Sequence, residues 1–171
     1  MLLDIRSVCC YNFSPMLHHT IHFTLNDAAI TCTVPPHLTL YDLLQQIEDS
    51  RCLVDACAHG DCCRCTVLLD GRSVCACQVL ALEVAERAVQ TRAGLAGHPV
   101  VQALESLVGP CGKCIDAFAL TAIDCLQTVQ RDDGHSLNEA LLAIPCTCQV
   151  NQQVRHVVQH HWAHVRREGG P

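Results

Sequence analysis

Three observations predict an α+β chain, strand-rich in its first half and helical in its second. Hydrophobic residues alternate with polar ones at the start, the apolar period lengthens from two to about 3.6 after Arg92-Ala-Gly94-Leu-Ala-Gly97, and no internal repeat interrupts either pattern. Ile21, Phe23 and Leu25 alternate, Asn26-Asp27 signals a turn, and Ile30, Cys32 and Val34 alternate again, which reads as a β-hairpin. Pro35-Pro36 ends the second strand. Thr39-Leu-Tyr-Asp42 then resembles a capping box ahead of Leu40, Leu43, Leu44 and Ile47 at helical spacing. A cysteine-dense loop from Cys52 to Cys65 follows and runs into Thr66–Val74, two strands around an Asp70-Gly71 turn.

Beyond Gly97 the pattern is helical. Val101, Leu104 and Val108 line one stripe, and Phe118, Ala122, Leu126 and Val129 line a second. Ser136-x-x-Glu139 is a capping box for Leu137, Leu141 and Ile144, and Val150, Val154, Val157, His161 and Val165 form a last stripe, giving four helices. Residues 1–15 lack these periodicities and read as a weakly ordered extension ahead of Met16. The organisation expected is therefore an extension at 1–15, a first domain at 16–92 and a helical domain at 93–171.

Composition narrows the function. Half of the 171 residues are hydrophobic and 16% are charged, against roughly a quarter in ordinary domains, so part of the surface is expected to meet a partner protein. A formal charge of -6 and a single lysine, Lys113, leave no footprint for a phosphate backbone, which argues against nucleic acid. The first residues carry no basic, apolar or twin-arginine leader, and no apolar run approaches the roughly 18 residues of a membrane span. A cytoplasmic chain without a membrane span is expected. Thiols stay reduced there, so the 15 cysteines point to metal ligands more than to disulfides.

Cys57, Cys62 and Cys65 have the C-x4-C-x2-C spacing of a plant-type [2Fe–2S] loop, and Cys77 follows across the Asp70-Gly71 hairpin. Two irons bridged by sulfides take four thiolates around a compact core, and a loop carrying three of them must wrap it with its N–H groups facing sulfur. Gly60 helps it turn. A structural zinc site and a disulfide knot are the alternatives; the first wants different spacings and the second an oxidising compartment. A second set, Cys111-Gly-Lys-Cys114 and Cys146-Thr-Cys148, places a C-x2-C and a C-x-C at helix ends. Alone this set is weak evidence. A thioredoxin site wants a βαβ unit, a zinc deaminase an upstream His-x-Glu, and a Rieske centre two histidine ligands, and none of these is present.

The whole order, hairpin, helix, C-x4-C-x2-C-x11-C, linker, C-x2-C-x31-C-x-C, resembles the two-cluster iron–sulfur subunit of the xanthine dehydrogenase/aldehyde oxidoreductase (molybdenum hydroxylase) family from about Met16 to Val165. Ile21-His-Phe-Thr-Leu-Asn26, Thr39-Leu-Tyr-Asp-Leu-Leu44, Cys65-Thr-Val-Leu-Leu-Asp-Gly71 and Gly94-Leu-Ala-Gly-His-Pro-Val100 are similar to family text. The resemblance implies a β-grasp ferredoxin-like domain followed by a four-helix [2Fe–2S]-binding domain. It implies one [2Fe–2S] cluster on Cys57, Cys62, Cys65 and Cys77 and a second on Cys111, Cys114, Cys146 and Cys148. It also implies a non-catalytic electron-transfer role, from a molybdopterin-binding large subunit to a medium subunit carrying FAD or to another acceptor, with the second cluster nearer molybdenum. A free-standing [2Fe–2S] carrier or redox sensor without a molybdenum partner is the alternative reading, and a zinc-stabilised interaction module a third.

Departures from the family pattern lie beside the ligands. Cys63-Arg64 replaces Gly-Ala, Pro110 stands where the family has a pterin-facing glutamine, and Ile115-Asp116-Ala117 replaces Thr-Pro-Gly. Thr147 replaces arginine, and Gln149-Val150-Asn151 stands for Thr-Gly-Tyr. Arg64 and Lys113 each sit between two ligands of one cluster. Cys9, Cys10, Cys32, Cys52, Cys63, Cys75 and Cys125 are left over and read mostly as core fillers, and His156, His160 and His164 as a solvated helix face.

Overall fold

The structure is a computed structural model that describes residues 17–47, 56–105, 107, 114–128, 135–146 and 151–167, excepting the side chains of 135, 136, 151 and 162–167. The extension expected at residues 1–15 lies outside them. Two seven-residue strands open the fold, β1 (His19–Leu25) and β2 (Ala28–Val34), paired antiparallel from His19↔Val34 to Leu25↔Ala28. Asn26 and Asp27 both adopt positive φ, 50° and 65°, the left-handed pair that a two-residue hairpin turn needs to match strand twist. Helix α1 (Leu40–Gln46) starts where its cap predicts, because Thr39 Oγ1 accepts the Asp42 N–H at 3.1 Å and donates to Asp42 Oδ2 at 2.7 Å.

A second hairpin, β3 (Thr66–Leu69) and β4 (Arg72–Cys75), pairs Thr66↔Cys75 through Leu69↔Arg72 across Asp70 and Gly71, again both left-handed. The sequence pattern does not reveal β5 (Ala88–Gln90), a three-residue strand too short for alternation to mark. It runs parallel to β1 and antiparallel to β3, completing a mixed five-stranded sheet in the order β2-β1-β5-β3-β4. The Asp70 carboxylate fixes this join: it accepts Arg87 Nε at 2.6 Å and the Ala88 N–H at 2.9 Å.

Four helices are described beyond the sheet: α2 (Pro99–Glu105), α3 (Ile115–Thr128), α4 (His135–Leu142) and α5 (Asn151–Arg167). Helix α4 begins one residue before the predicted Ser136 cap. Val108 and Val129 lie outside the described residues. Among the described α5 side chains Val154 and Val158 are buried and Val157 and His161 half-buried, so the predicted stripe widens to take in Val158, which the sequence pattern passed over. None of the described helices is long and apolar enough to cross a membrane.

Strand β3 separates two cores and is buried along its length. Val67 and Leu69 face the core shared with Ile21, Phe23, Leu40 and Leu44, while Leu68 faces Leu104, Phe118, Ile123, Leu141 and Val154. This alternation is the two-residue period of a strand used on both faces. Asp124 of α3, only 8% exposed, bonds the helices to the sheet: it accepts the Ser73 N–H at 2.9 Å, the Ser73 hydroxyl at 2.7 Å, the Thr128 hydroxyl at 2.9 Å and Arg72 Nε at 2.9 Å. Burial alone would raise its pKa, but these donors outweigh it and hold the carboxyl below its ordinary value. Arg92, shortly after β5, reaches Glu105 of α2 at 2.9 Å and Asp116 of α3 at 3.1 Å.

Asp124→Ala is expected to lower unfolding free energy by about 2–4 kcal/mol, since charge-assisted hydrogen bonds are lost and the Ser73 N–H is left unpaired. Because the folded pKa is depressed, this contribution is complete above the unfolded value near 3.8 and is lost as pH falls through the folded pKa. Denaturant titrations of wild type and Asp124→Ala at pH 7 and pH 3 check both statements: the gap between them should narrow at pH 3.

Candidate metal centre

The first cysteine set is assembled by two local devices. Between Ala56 and Cys65 the chain curls through three left-handed residues, Ala58 (φ 61°), Gly60 (φ 96°) and Cys63 (φ 54°). The curl turns N–H groups towards sulfur: the Cys57 N–H donates to Cys62 Sγ at 3.1 Å, and the Asp61 N–H to Cys57 Sγ at 3.3 Å. Gly60 is needed for its φ, which an L side chain rarely adopts; a Cβ there would also meet the Gln78 amide at 2.9 Å, a flexible side-chain end that can move aside.

The β3–β4 hairpin is the second device. Its Thr66↔Cys75 register and the Ala76 N–H donated to the Cys65 carbonyl at 3.0 Å bring Cys65 and Cys77, just outside the strands, to a sulfur–sulfur distance of 3.4 Å. Helix α1 clamps this corner, with the Leu40 N–H on the Val79 carbonyl at 2.7 Å and the Ala81 N–H on the Leu38 carbonyl at 2.8 Å. Gln78 Nε2 donates a long bond, 3.8 Å, to Cys77 Sγ. The four predicted residues therefore form two pairs, Cys57 with Cys62 and Cys65 with Cys77. Among the described residues no three Cys, His, Asp or Glu side chains converge as ligands of a single ion.

Electrostatics sort these thiols. Cys57 is lowered to about 6, chiefly by the His59 backbone N–H, with the Cys62 thiol and further N–H groups adding to it against burial. Cys65 is lowered to about 5, first by a hydrogen bond from the Cys75 thiol, then, against burial, by the Cys77 N–H and thiol. Cys77 is raised, by burial first and the neighbouring Cys65 second, and the Cys75 thiol is driven far up by its bonds to Cys65 and Cys63 and by burial. Burial also raises Tyr41, with charge on Cys65, Asp42, Cys62 and Cys77 adding to it.

Of the second set, Cys114 is buried in the helical core just before α3, and Cys146 is half-buried against that core after α4. Cys111 and Cys148 lie outside the described residues, as do Pro110, Lys113 and Thr147. Arg64 is half-buried, and His156 and His160 are exposed. Sequence reasoning missed that Cys75 closes β4 opposite Thr66, the residue next to Cys65; the Asp70-Gly71 turn carried that signal, because it sets the hairpin register.

An α+β protein with a sulfur-lined loop clamped between hairpin and helix is the class these features define. No protein-family model matches the chain. It is 30% identical over 140 residues, covering 76% of this chain and 85% of the relative, to the 6-hydroxypseudooxynicotine dehydrogenase complex subunit beta of Paenarthrobacter nicotinovorans. It is 28% identical over 149 residues to the nicotinate dehydrogenase small FeS subunit of Eubacterium barkeri, covering 82% of this chain and 95% of the relative. Among solved structures, quinoline 2-oxidoreductase from Pseudomonas putida 86 shares the fold, with a TM-score of 0.73 at 22% identity over 90% of this chain and 99% of that one. The chain belongs to the iron–sulfur subunit family of molybdenum hydroxylases.

In the metal-free chain, iodoacetamide should alkylate Cys57 at a rate that rises through pH about 6 and is near its plateau at pH 7.5, whereas an ordinary thiol is still climbing. Peptide-resolved rates across pH 5–9 check this; a midpoint above 8 would refute it.

Proposed function

We propose that this chain is the electron-transfer subunit of a molybdenum hydroxylase complex, relaying electrons from a molybdopterin-binding large subunit to a flavin-carrying medium subunit or another acceptor. Family membership carries the reading, and the paired thiols support it. A two-iron centre takes two thiolates at each end, whereas one tetrahedral zinc draws its donors to one point; Cys57 with Cys62 and Cys65 with Cys77 fit the former. In this reading residues 16–92 are a β-grasp ferredoxin-like domain and residues 93–171 a four-helix domain, whose Cys111, Cys114, Cys146 and Cys148 hold a second cluster. The 1–15 extension takes no part.

Bound there, [2Fe–2S] clusters supply one-electron carriers. The chain's own part is to hold thiolates and to moderate their charge. Backbone N–H groups of the 57–62 loop already face Cys57 and Cys62, so they meet negative charge without rearrangement. Gln78 presents a donor to Cys77, and such hydrogen bonds to sulfur favour the reduced state and raise the potential. Helix α1 and the Cys77 corner are strapped together, so ligand spacing does not depend on the exposed loop alone.

Metal analysis of anaerobically purified complex is expected to give about four irons per chain, the content of two such clusters, and a molybdopterin-containing chain should co-purify. Cys114→Ser should remove one EPR signal of the reduced protein and spare the other. Zinc in place of iron, or loss of neither signal, would sink the assignment.

A further inference from the structure

One guanidinium holds both ends of the segment that carries Cys111 and Cys114. Arg92 Nη2 donates at 2.9 Å to Oε1 of Glu105, the last residue of α2, and Arg92 Nε, a nitrogen shielded from solvent, lies 3.1 Å from Oδ1 of Asp116 in the first turn of α3. Between those two carboxylates the sequence runs through Cys111-Gly-Lys-Cys114. Cys114 is 5% exposed, and its carbonyl accepts the Phe118 N–H at 3.1 Å, so it stands directly at the start of α3. Arg92 is itself anchored. Its neighbour Thr91, 2% exposed, donates its N–H to Asn26 Oδ1 at 2.8 Å, and its hydroxyl accepts from Asn26 Nδ2 at 2.9 Å, which ties it to the β1–β2 turn. The contacts of Arg92 thus run from the sheet to both stems of the C-x2-C segment.

We propose that Arg92 is a positioning residue for the second cysteine set: it pins the end of α2 to the start of α3, so that the segment between them keeps its two thiolates in place. The inference deepens the proposed function and rests on it, since it takes Cys111, Cys114, Cys146 and Cys148 as the ligands of one cluster. The physics is loop closure. Fixing both stems with one side chain removes conformations in which the segment carries its sulfurs away from their partners. An arginine suits this task, because its planar fork has donors on separate nitrogens and meets two carboxylates at once, whereas an ammonium is a point charge on a flexible stem. Glu105 and Asp116 are 48% and 21% exposed, so each ion pair alone contributes little. The effect comes from one group closing on both stems.

The experiment uses the full chain in its purified complex. Iron is drawn off with the chelator bathophenanthroline, and EPR spectra of the reduced protein are taken at intervals, the second cluster being the signal that Cys114→Ser removes. In Arg92→Ala that signal is expected to decay roughly three- to ten-fold faster than in wild type, the range two partly exposed ion pairs allow, while the other signal decays at the wild-type rate. Glu105→Ala, which cuts one arm, should give an intermediate rate, and so should Arg92→Lys, which keeps the charge but cannot span both carboxylates. Unchanged decay of that signal in every variant, faster decay of both signals together, or full rescue by Arg92→Lys would overturn the proposal; the second outcome is a general loss of stability and the third a plain effect of charge. If Arg92→Ala does not assemble, Glu105→Ala and Arg92→Lys carry the same comparison. Wild-type iron separates the two readings: an iron-free chain defeats the proposed function and this inference with it, whereas two EPR signals that ignore Arg92 defeat only this one.

Discussion

The register of the β3–β4 hairpin is the constraint on which the rest of the molecule depends. Asp70 and Gly71 form a two-residue turn with both φ positive, and that turn type permits one pairing, Leu69↔Arg72 through Thr66↔Cys75. At one end of the ladder this sets Cys65 against Cys77; in its middle it presents Ser73 to Asp124. Because strand side chains alternate, a slip by one residue would send Leu68 into the sheet core and Val67 into the helical core, and would part the sulfurs as well. Packing of both halves and geometry of the site are thus one requirement, met by one short hairpin.

The cysteine loop is conformationally expensive, and the surroundings explain how it persists. Ala58 and Cys63 adopt left-handed φ without being glycine, at a cost of order 1 kcal/mol or more each. Hydrogen bonds to sulfur, the Thr66 contacts to the Cys63 carbonyl and the strap from α1 offset that cost. The strain lies where N–H groups must point inward, which a regular strand or helix would not allow.

Much of this was legible in the sequence because it rests on local rules. Asn26-Asp27 and Asp70-Gly71 announce their turns, Thr39-x-x-Asp42 announces α1, and the loop cysteines carry their own spacing. What stayed hidden depends on tertiary context. β5 is three residues long and exists because Asp70 and β1 receive it. Asp124 reads as a polar residue on a helix until Ser73 and Arg72, far away in sequence, are seen to bond it. The Val154–Val158 face of α5 is set by how that helix rolls against its neighbours, which a five-residue stripe read with slightly different phase does not fix.

A chain with 15 cysteines must give chemically identical side chains different states, and here position alone does it. Cys57 and Cys65 receive hydrogen bonds from backbone N–H groups or a thiol and are lowered into the thiolate range. Cys75 supplies one of those bonds and stays protonated for that reason. Cys125, half-buried beside Asp124, is raised by desolvation first and the adjacent carboxylate second, which keeps it protonated. The same hydrogen bond lowers Cys65 and raises Cys75, so one contact moves the two thiols in opposite directions. The same hairpin register that aligns the paired sulfurs therefore also decides which sulfurs carry charge.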